Sequence, residues 1–197
     1  ASCFSFGLMS AGFIVTKVLN KIGLFLTLIF AVSLQTVCII SMFAYFNPIN
    51  LAICHFVMGL MGGMNWMTMD AWANIVSSDK NRGKAIGLYN SSISIGFGVG
   101  PLIVAFYGSS GNLPMIICLI LMSLRILTII FIKKHIHEVK IPSKNNKINF
   151  SFILLAPFIF VAIFVAGVND SSFGALFPAF MINEFFSDRQ IGLYFFL

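Results

Sequence analysis

Long apolar runs, each near the length of a membrane-spanning helix, follow one another through most of this chain. A helix needs roughly 20 mostly apolar residues to cross a bilayer. One run ends near residue 16 and another begins near residue 190. Five complete runs lie between them, at 24–46, 50–76, 84–107, 113–132 and 150–181. They lack the alternation of barrel strands. We predict an all-α integral membrane protein, a polytopic transmembrane helix bundle that is incomplete at both ends.

The composition excludes a soluble globular fold. Of the 197 residues, 59% are hydrophobic and 9% are charged, whereas soluble domains are about 25% charged. Each of the four cysteines lies inside an apolar run, without the spacing of a metal site, and His135 and His137 have no further ligands near them in sequence. We therefore expect buried thiols, no metal and no cofactor.

The connections between the runs are alternately basic and uncharged. The basic ones are 16–23, 77–84 and 133–149, and the uncharged ones are 46–50 and 107–114. Because Lys and Arg accumulate in cytoplasmic loops, we expect the three basic loops to be cytoplasmic. The net charge of +6 then reflects membrane topology, and no nucleic acid partner is expected. Abundant Ile, Phe, Lys and Asn favour a bacterial inner membrane.

In the run 50–76, ionisable residues share one helix face with glycines. His55, Gly59, Gly62, Trp66 and Asp70 fall on one stripe at roughly 100° per residue. Since small residues let helices approach closely in lipid, this face is expected to look into the bundle. The run 84–107 carries small or polar residues on two faces. Packing roles are predicted for Gly59, Gly63, Gly96, Gly100 and Pro101.

Two further ionisable residues lie inside apolar runs, where they are costly and usually mark a pathway. Asp170 shares a helix face with Gly167 and Gly174. Arg125 lies roughly 12 Å of helix rise before Lys133, so it either lines a pathway or extends to the cytoplasmic surface. The candidates for substrate binding or coupling are Asp170, Asn90, His55 and Arg125.

Charges are concentrated in the segment MDAWANIVSSDKNRGKAIGLYN, residues 69–90. Asp70 ends the glycine stripe, and a partly desolvated carboxylate requires a cationic partner. Arg82 is near in sequence and can bind a carboxylate with two parallel hydrogen bonds, while Lys17 and Lys21 are rival partners. We predict that Asp70 pairs with Arg82 or with one of these two lysines, and that Asp79 and Lys80 are solvated.

Several segments resemble, in order, motifs of the Major Facilitator Superfamily. GFIVTKVLNKIG (12–23) resembles the loop between helices 2 and 3, although Thr16 and Lys17 stand where an acidic residue and Arg often occur. HFVMGLMGGM (55–64) resembles helix 4, with His55 in place of Arg. The other matching segments are DAWAN (70–74) with RGKAIGLYN (82–90), GFGVGPLIVAFYG (96–108) and GVNDSSFGALFPAFMINEFFSDRQIG (167–192).

The resemblance implies a secondary active transporter that moves a small solute by alternating access between two six-helix bundles. It places residues 1–132 in the N-terminal bundle, 133–149 in the cytoplasmic loop between bundles, and 150–197 at the start of the C-terminal bundle. It also implies that charges such as Asp70 and Arg82 form a cytoplasmic gate. Titratable His55, Asp70 and Asp170 are compatible with proton coupling.

Two alternatives stay open. A membrane enzyme would need a nucleophile with its base, paired acids or a metal cluster. The sequence has no such constellation, so we predict that the protein is not an enzyme. A non-transporting receptor or assembly protein on the same fold is the other alternative. The expected partners are membrane lipid, a small solute and, in a coupled transporter, protons; a monomer is favoured.

Overall fold

The structure, a computed structural model, describes residues 2–108, 112–131 and 177–196, together with positions 133, 161, 165, 168 and 174. These residues form helices and no strand. The helices are α1 (Ser2–Ala44), α2 (Pro48–Val76), α3 (Arg82–Tyr107), α4 (Leu113–Phe131) and α5 (Asp188–Phe196), and residues 177–183 are also helical. The predicted all-α membrane fold is confirmed, with ends close to those of the apolar runs.

Three of the described helices, α1, α3 and α4, are long and apolar enough to cross a membrane. Helix α2 has 29 residues, but glycines and polar residues such as His55 and Asn65 interrupt its apolar run. Helix α2 lies against both halves of α1. Glycines and polar side chains on its buried side therefore contact protein and not lipid.

Helix α1 is two helices joined at Gly23, the one residue inside it with non-helical torsions (φ 80°, ψ 170°). We call residues 2–22 the first leg and 24–44 the second leg. Without a Cβ, glycine adopts this conformation at little cost. The sequence predicted a loop over 16–23, but Lys17 and Lys21 are helical. Lysine is a good helix former, so the break is confined to the glycine.

The first leg of α1 runs parallel to α2 and almost touches its backbone. A Cβ built on Gly59 would overlap the carbonyl oxygen of Phe4, and one on Gly63 would lie 2.7 Å from the Cβ of Ala11. A Cβ on Gly7 would overlap the carbonyl oxygen of Phe56. Glycine on both helices therefore sets their separation, as in close helix contacts within lipid.

The second leg of α1 runs antiparallel to α2. Near the connection between the two helices, the Ser41 hydroxyl bonds to Oδ1 of Asn50 at 3.1 Å, and deeper along the pair Nε2 of Gln35 donates to the carbonyl of Met58 at 3.4 Å. Both legs and α2 contribute to one buried apolar cluster, formed by Ala11, Val15, Leu19, Ala31, Met61 and Met64.

Helix α2 begins and ends at clear capping groups. The Asn47 side chain accepts a hydrogen bond from the Asn50 backbone N–H at 2.8 Å, and Pro48 occupies the first helical position. Both features are typical of helix N-termini. At the other end, the Ser77 N–H still bonds to the carbonyl of Ala73 before the chain becomes extended. The connection to α3 is therefore short.

Helix α4 packs on the second leg of α1 through a second buried cluster, formed by Leu24, Leu28, Val32 and Ile129. Beyond α4, the Lys133 ammonium lies 5.2 Å from the centroid of the Phe25 ring. Cation–π contacts of this length are attractive. The start of the long basic loop is therefore held against the beginning of the second leg.

Contacts divide the chain into two units, Ala1–Phe97 with Ser109–Ile141, and Gly98–Gly108 with Pro142–Leu197. In the second unit, α5 lies close to the end of α3, because a Cβ on Gly192 would lie 2.6 Å from the carbonyl oxygen of Pro101. Phe177 and Tyr194 stack nearby, with ring centroids 5.0 Å apart. The division into bundles at 133–149 stays a prediction.

Candidate functional site

Side chains from three helices of the first unit meet in one polar cluster. Asp70 comes from α2, Tyr89 from α3 and Arg125 from α4. The Tyr89 hydroxyl lies near the Asp70 carboxylate and interacts with it, and the Arg125 guanidinium interacts electrostatically with Tyr89. We call these three residues the Asp70–Tyr89–Arg125 cluster. Tyr89 is the neighbour shared by an acidic and a basic side chain.

Helix geometry explains why these residues meet. Asp70 lies in the last two turns of α2 and Tyr89 in the second turn of α3, and only the short segment 77–81 connects the two helices. Both residues are therefore near the same end of the helix pair. Arg125 lies within the last two turns of α4. The cluster thus sits at the end that carries the basic connections.

All three members of the cluster are partly buried. A charged group inside a membrane-spanning helix is expensive unless it is paired or reaches water. A tyrosine hydroxyl can donate to a carboxylate and present its oxygen lone pairs to a cation. Tyr89 therefore offers a partner to both charges. Loss of Tyr89 removes that shared partner from Asp70 and Arg125.

Arg82 is paired with Asp79 and not with Asp70, contrary to the predicted pair. The Arg82 guanidinium lies 2.7 Å from the Asp79 carboxylate, with the two side chains 48% and 92% exposed. The first turn of α3 puts Arg82 three residues after Asp79, within reach of a local ion pair. Lys17 and Lys21 are exposed on the first leg of α1.

The other candidates for substrate binding or coupling have separate environments. Nδ1 of His55 lies 2.8 Å from the carbonyl oxygen of Leu51 one turn earlier. Since a carbonyl only accepts, this nitrogen carries the hydrogen. Asn90 is exposed, although it adjoins Tyr89. Asp170 lies outside the described residues.

The glycine stripe of α2 is rotated relative to the sequence-based expectation. The buried stripe contains Met61, Met64, Asn65 and Thr68, whereas Trp66 is 48% exposed. The reason is that both legs of α1 pack on α2, and the contact through Gly63 determines which face they cover. Of the other predicted packing residues, Gly59 lies at the close contact with the first leg.

The two glycines predicted to pack in α3 have open surroundings in the described part of the chain. A Cβ built on Gly96 or on Gly100 would meet no described atom within 4 Å. Pro101 lies inside α3, where it cannot donate a backbone hydrogen bond. Its carbonyl oxygen faces Gly192 instead.

A crevice of about 260 Å³ lies beside the cluster, between the end of α2 and the beginning of α3. Tyr89 forms part of its wall, opposite Trp72 and Val76 of α2. Nε1 of Trp72 is buried and has no hydrogen-bond partner among the described residues. The crevice is therefore bordered mainly by apolar side chains, with Tyr89 and Ser77 as its polar lining residues.

Tyr89 is the member of this cluster that was not among the candidates from the sequence. The neighbouring Asn90 was the candidate, because an amide in an apolar run is conspicuous and a tyrosine is not. One signal was present: Tyr89 and Asp70 both lie near the ends of helices joined by the short segment 77–81. Polar side chains near the joined ends of two helices lie at a similar depth in the membrane. Whether they point toward each other depends on how the helices pack.

The family model of the Major Facilitator Superfamily matches residues 1–197, the whole chain. No curated protein and no solved structure matches it. Among the described residues, no group of three or more His, Cys, Asp or Glu side chains could hold a metal ion.

Proposed function

The chain belongs to the Major Facilitator Superfamily, a family of membrane transporters, and we propose that it moves a small solute by alternating access as a secondary transporter. It is a multi-pass membrane protein, in contact with lipid and with its solute. In the proposed mechanism, one helix bundle rocks against the other around a central binding site.

The Asp70–Tyr89–Arg125 cluster is the observation that carries the proposal at the level of residues. Two opposite charges and a hydroxyl group come together from α2, α3 and α4, all within an otherwise apolar bundle. Ionisable groups in such positions usually serve a pathway or a relay. We assign to this cluster the gating role that the family resemblance implies for Asp70 and Arg82.

Asp70 is the acidic member of the cluster, so its carboxylate is the group through which a coupling proton would act. Protonation of its carboxylate, or approach of a charged solute, would change its interaction with Tyr89 and its balance with Arg125. The arrangement of α2, α3 and α4 at the basic end would respond. In a proton-coupled transporter, this response would link proton binding to opening.

The test is solute flux in proteoliposomes that contain the full-length protein, with and without a pH gradient. Asp70→Asn removes the charge of the cluster, and Asp79→Asn is the matched control because Asp79 is 92% exposed in its pair with Arg82. We expect Asp70→Asn to lower flux ~10-fold, the effect of about 1.4 kcal/mol on a two-state ratio. Asp79→Asn should stay near wild type.

Equal flux in both variants, at equal protein content per vesicle, would show that Asp70 has no role in the mechanism. The gating role would then fall to the loop charges, such as Arg82. A pH gradient that changes wild-type flux but not that of Asp70→Asn would assign proton coupling to Asp70. Binding of a solute without flux in any gradient would instead favour a non-transporting receptor.

A further inference from the structure

The second leg of α1 and helix α2 are held in register by hydrogen bonds on either side of two cysteines. On the side of the connection 45–47, Nδ2 of Asn50 donates to the carbonyl oxygen of Ser41 at 3.1 Å. One or two turns deeper, Nε2 of Gln35 donates to the carbonyl oxygen of Met58 at 3.4 Å. In an antiparallel pair of helices, a residue one turn earlier in the first helix lies opposite a residue one turn later in the second.

This register places Cys38 opposite Cys54. Cys38 precedes Ser41 by three residues, and Cys54 follows Asn50 by four, so each is one turn further from the connection. Both thiols are buried, with residue exposures of 6% and 5%. The two thiols are near enough to interact electrostatically, and Sγ of Cys54 lies 3.6 Å from Oδ1 of Asn50, the side chain that also bonds to Ser41 of α1. The two sulfur atoms therefore face each other across a helix interface.

We propose that Cys38 and Cys54 form an oxidisable dithiol, a site of reversible disulfide formation between the second leg of α1 and α2. A small, uncharged, two-electron oxidant is required, because the thiols are buried. With a diazenedicarboxamide, both S–H bonds break and one S–S bond forms. The two protons and two electrons pass to the N=N group, which becomes HN–NH.

The proposed disulfide does not depend on the transport proposal. Both helices belong to the first unit, so the bond can form without any movement between units. A covalent tie between them restricts their separation in the unfolded chain, which is how disulfides stabilise. The dithiol lies roughly 9 Å of helix rise from the end of α1. The proposed topology puts that end on the non-cytoplasmic side, where disulfides persist in bacteria.

The test uses the full-length protein in membranes, treated with a diazenedicarboxamide and then alkylated in denaturant. Cleavage after methionine separates the two cysteines, because Met42 lies between them. Cys38 is left in fragment 10–42 and Cys54 in fragment 43–58. We expect these fragments to stay linked without reductant and to separate with it. The link should be lost in Cys38→Ser and in Cys54→Ser.

Two controls distinguish a specific site from general thiol oxidation. Cys3 and Cys118 are exposed, so the variant with both changed to Ser should keep the link between fragments. Val37 adjoins Cys38 but is 57% exposed, so Val37→Cys combined with Cys38→Ser should form no link to Cys54. Efficient linking in that variant, or fully separated wild-type fragments after oxidation, would overturn the proposal.

Discussion

Tyr89 shows how a neutral side chain can serve two charges inside a membrane protein. Its hydroxyl interacts with the Asp70 carboxylate and lies in the field of Arg125. A hydrogen bond to a charged group contributes about 1.5–3 kcal/mol, and an unsatisfied buried partner costs a similar amount. The hydroxyl is therefore the part of Tyr89 that interacts with the two charged side chains.

We predict that Tyr89→Phe lowers the free energy of unfolding by about 1–3 kcal/mol, because it removes the hydroxyl that interacts with the partly buried Asp70 carboxylate. The measurement is unfolding of the purified protein in mixed micelles. Tyr107→Phe is the matched control, since Tyr107 lies in the same helix and is 60% exposed. Equal effects of the two substitutions would argue against the interaction with Asp70.

The double variant Tyr89→Phe with Asp70→Asn should cost less than the sum of the two single changes. Residues in one hydrogen-bond network are coupled, and the deviation from additivity measures their interaction. Strict additivity in the same unfolding assay would mean that the two side chains act independently.

The ion pair between Arg82 and Asp79 should contribute little to stability. Both side chains are largely exposed, and exposed pairs are typically worth below about 1 kcal/mol. Arg82→Gln should therefore leave the unfolding free energy almost unchanged at physiological salt. A loss comparable to that of Tyr89→Phe would show that Arg82 has a further partner.

At the scale of single residues, the sequence identified the ionisable residues that are costly to place in a membrane but not their partners. Asp70 and Arg125 stand out because charge is rare in apolar runs. Which group satisfies Asp70 depends on how α2 and α3 are rotated and on how near their axes come. Sequence proximity favoured Arg82, yet the first turn of α3 satisfies Arg82 locally with Asp79.

Among the helices, glycine has opposite effects in α2 and α3. In α2, Gly59 and Gly63 allow the first leg of α1 to approach so closely that a methyl group would overlap it. In α3, Gly96 has no described atom within 4 Å of a Cβ. A glycine inside an uncrowded helix costs about 1 kcal/mol relative to alanine.

Gly59→Ala should therefore destabilise the protein, whereas Gly96→Ala should be neutral or stabilising. We expect a loss of about 1–3 kcal/mol at Gly59, the usual cost of overpacking. At Gly96 we expect a gain of at most about 1 kcal/mol. Unfolding in mixed micelles compares the two directly. A large loss at Gly96 would reveal a close neighbour outside the described residues.

The ends of α2 and α4 were predicted well from the sequence because apolar runs and turn residues are local signals, whereas the loop expected at 16–23 is helical up to Gly23. The expected run 113–132 became Leu113–Phe131, and 50–76 became Pro48–Val76. The rotation of α2 was not predicted, since glycines alone do not indicate which neighbour they approach. Trp66 lies outside the buried stripe for this reason.

For the whole molecule, the distribution of Lys and Arg predicts that the basic connections face the cytoplasm. Asn47 lies in the uncharged connection 45–47 and Lys80 in the basic connection 77–81, and both residues are exposed. In a cysteine-free background, Asn47→Cys should react with an impermeant thiol reagent added to intact cells. Lys80→Cys should react only after permeabilisation, and the reverse pattern would invert the topology.

The single non-helical residue Gly23 makes the first part of the molecule sensitive to chain length. Most loops tolerate an inserted residue. A helical hairpin whose turn contains a single non-helical residue has no additional loop residues to accommodate one. An insertion just after Gly23 would turn the rest of the second leg by roughly 100° about its axis. Gln35 and Cys38 would then leave the interface with α2 and face lipid. Deletions should be as harmful as insertions here, so we expect the length of this turn to be fixed even where its side chains vary.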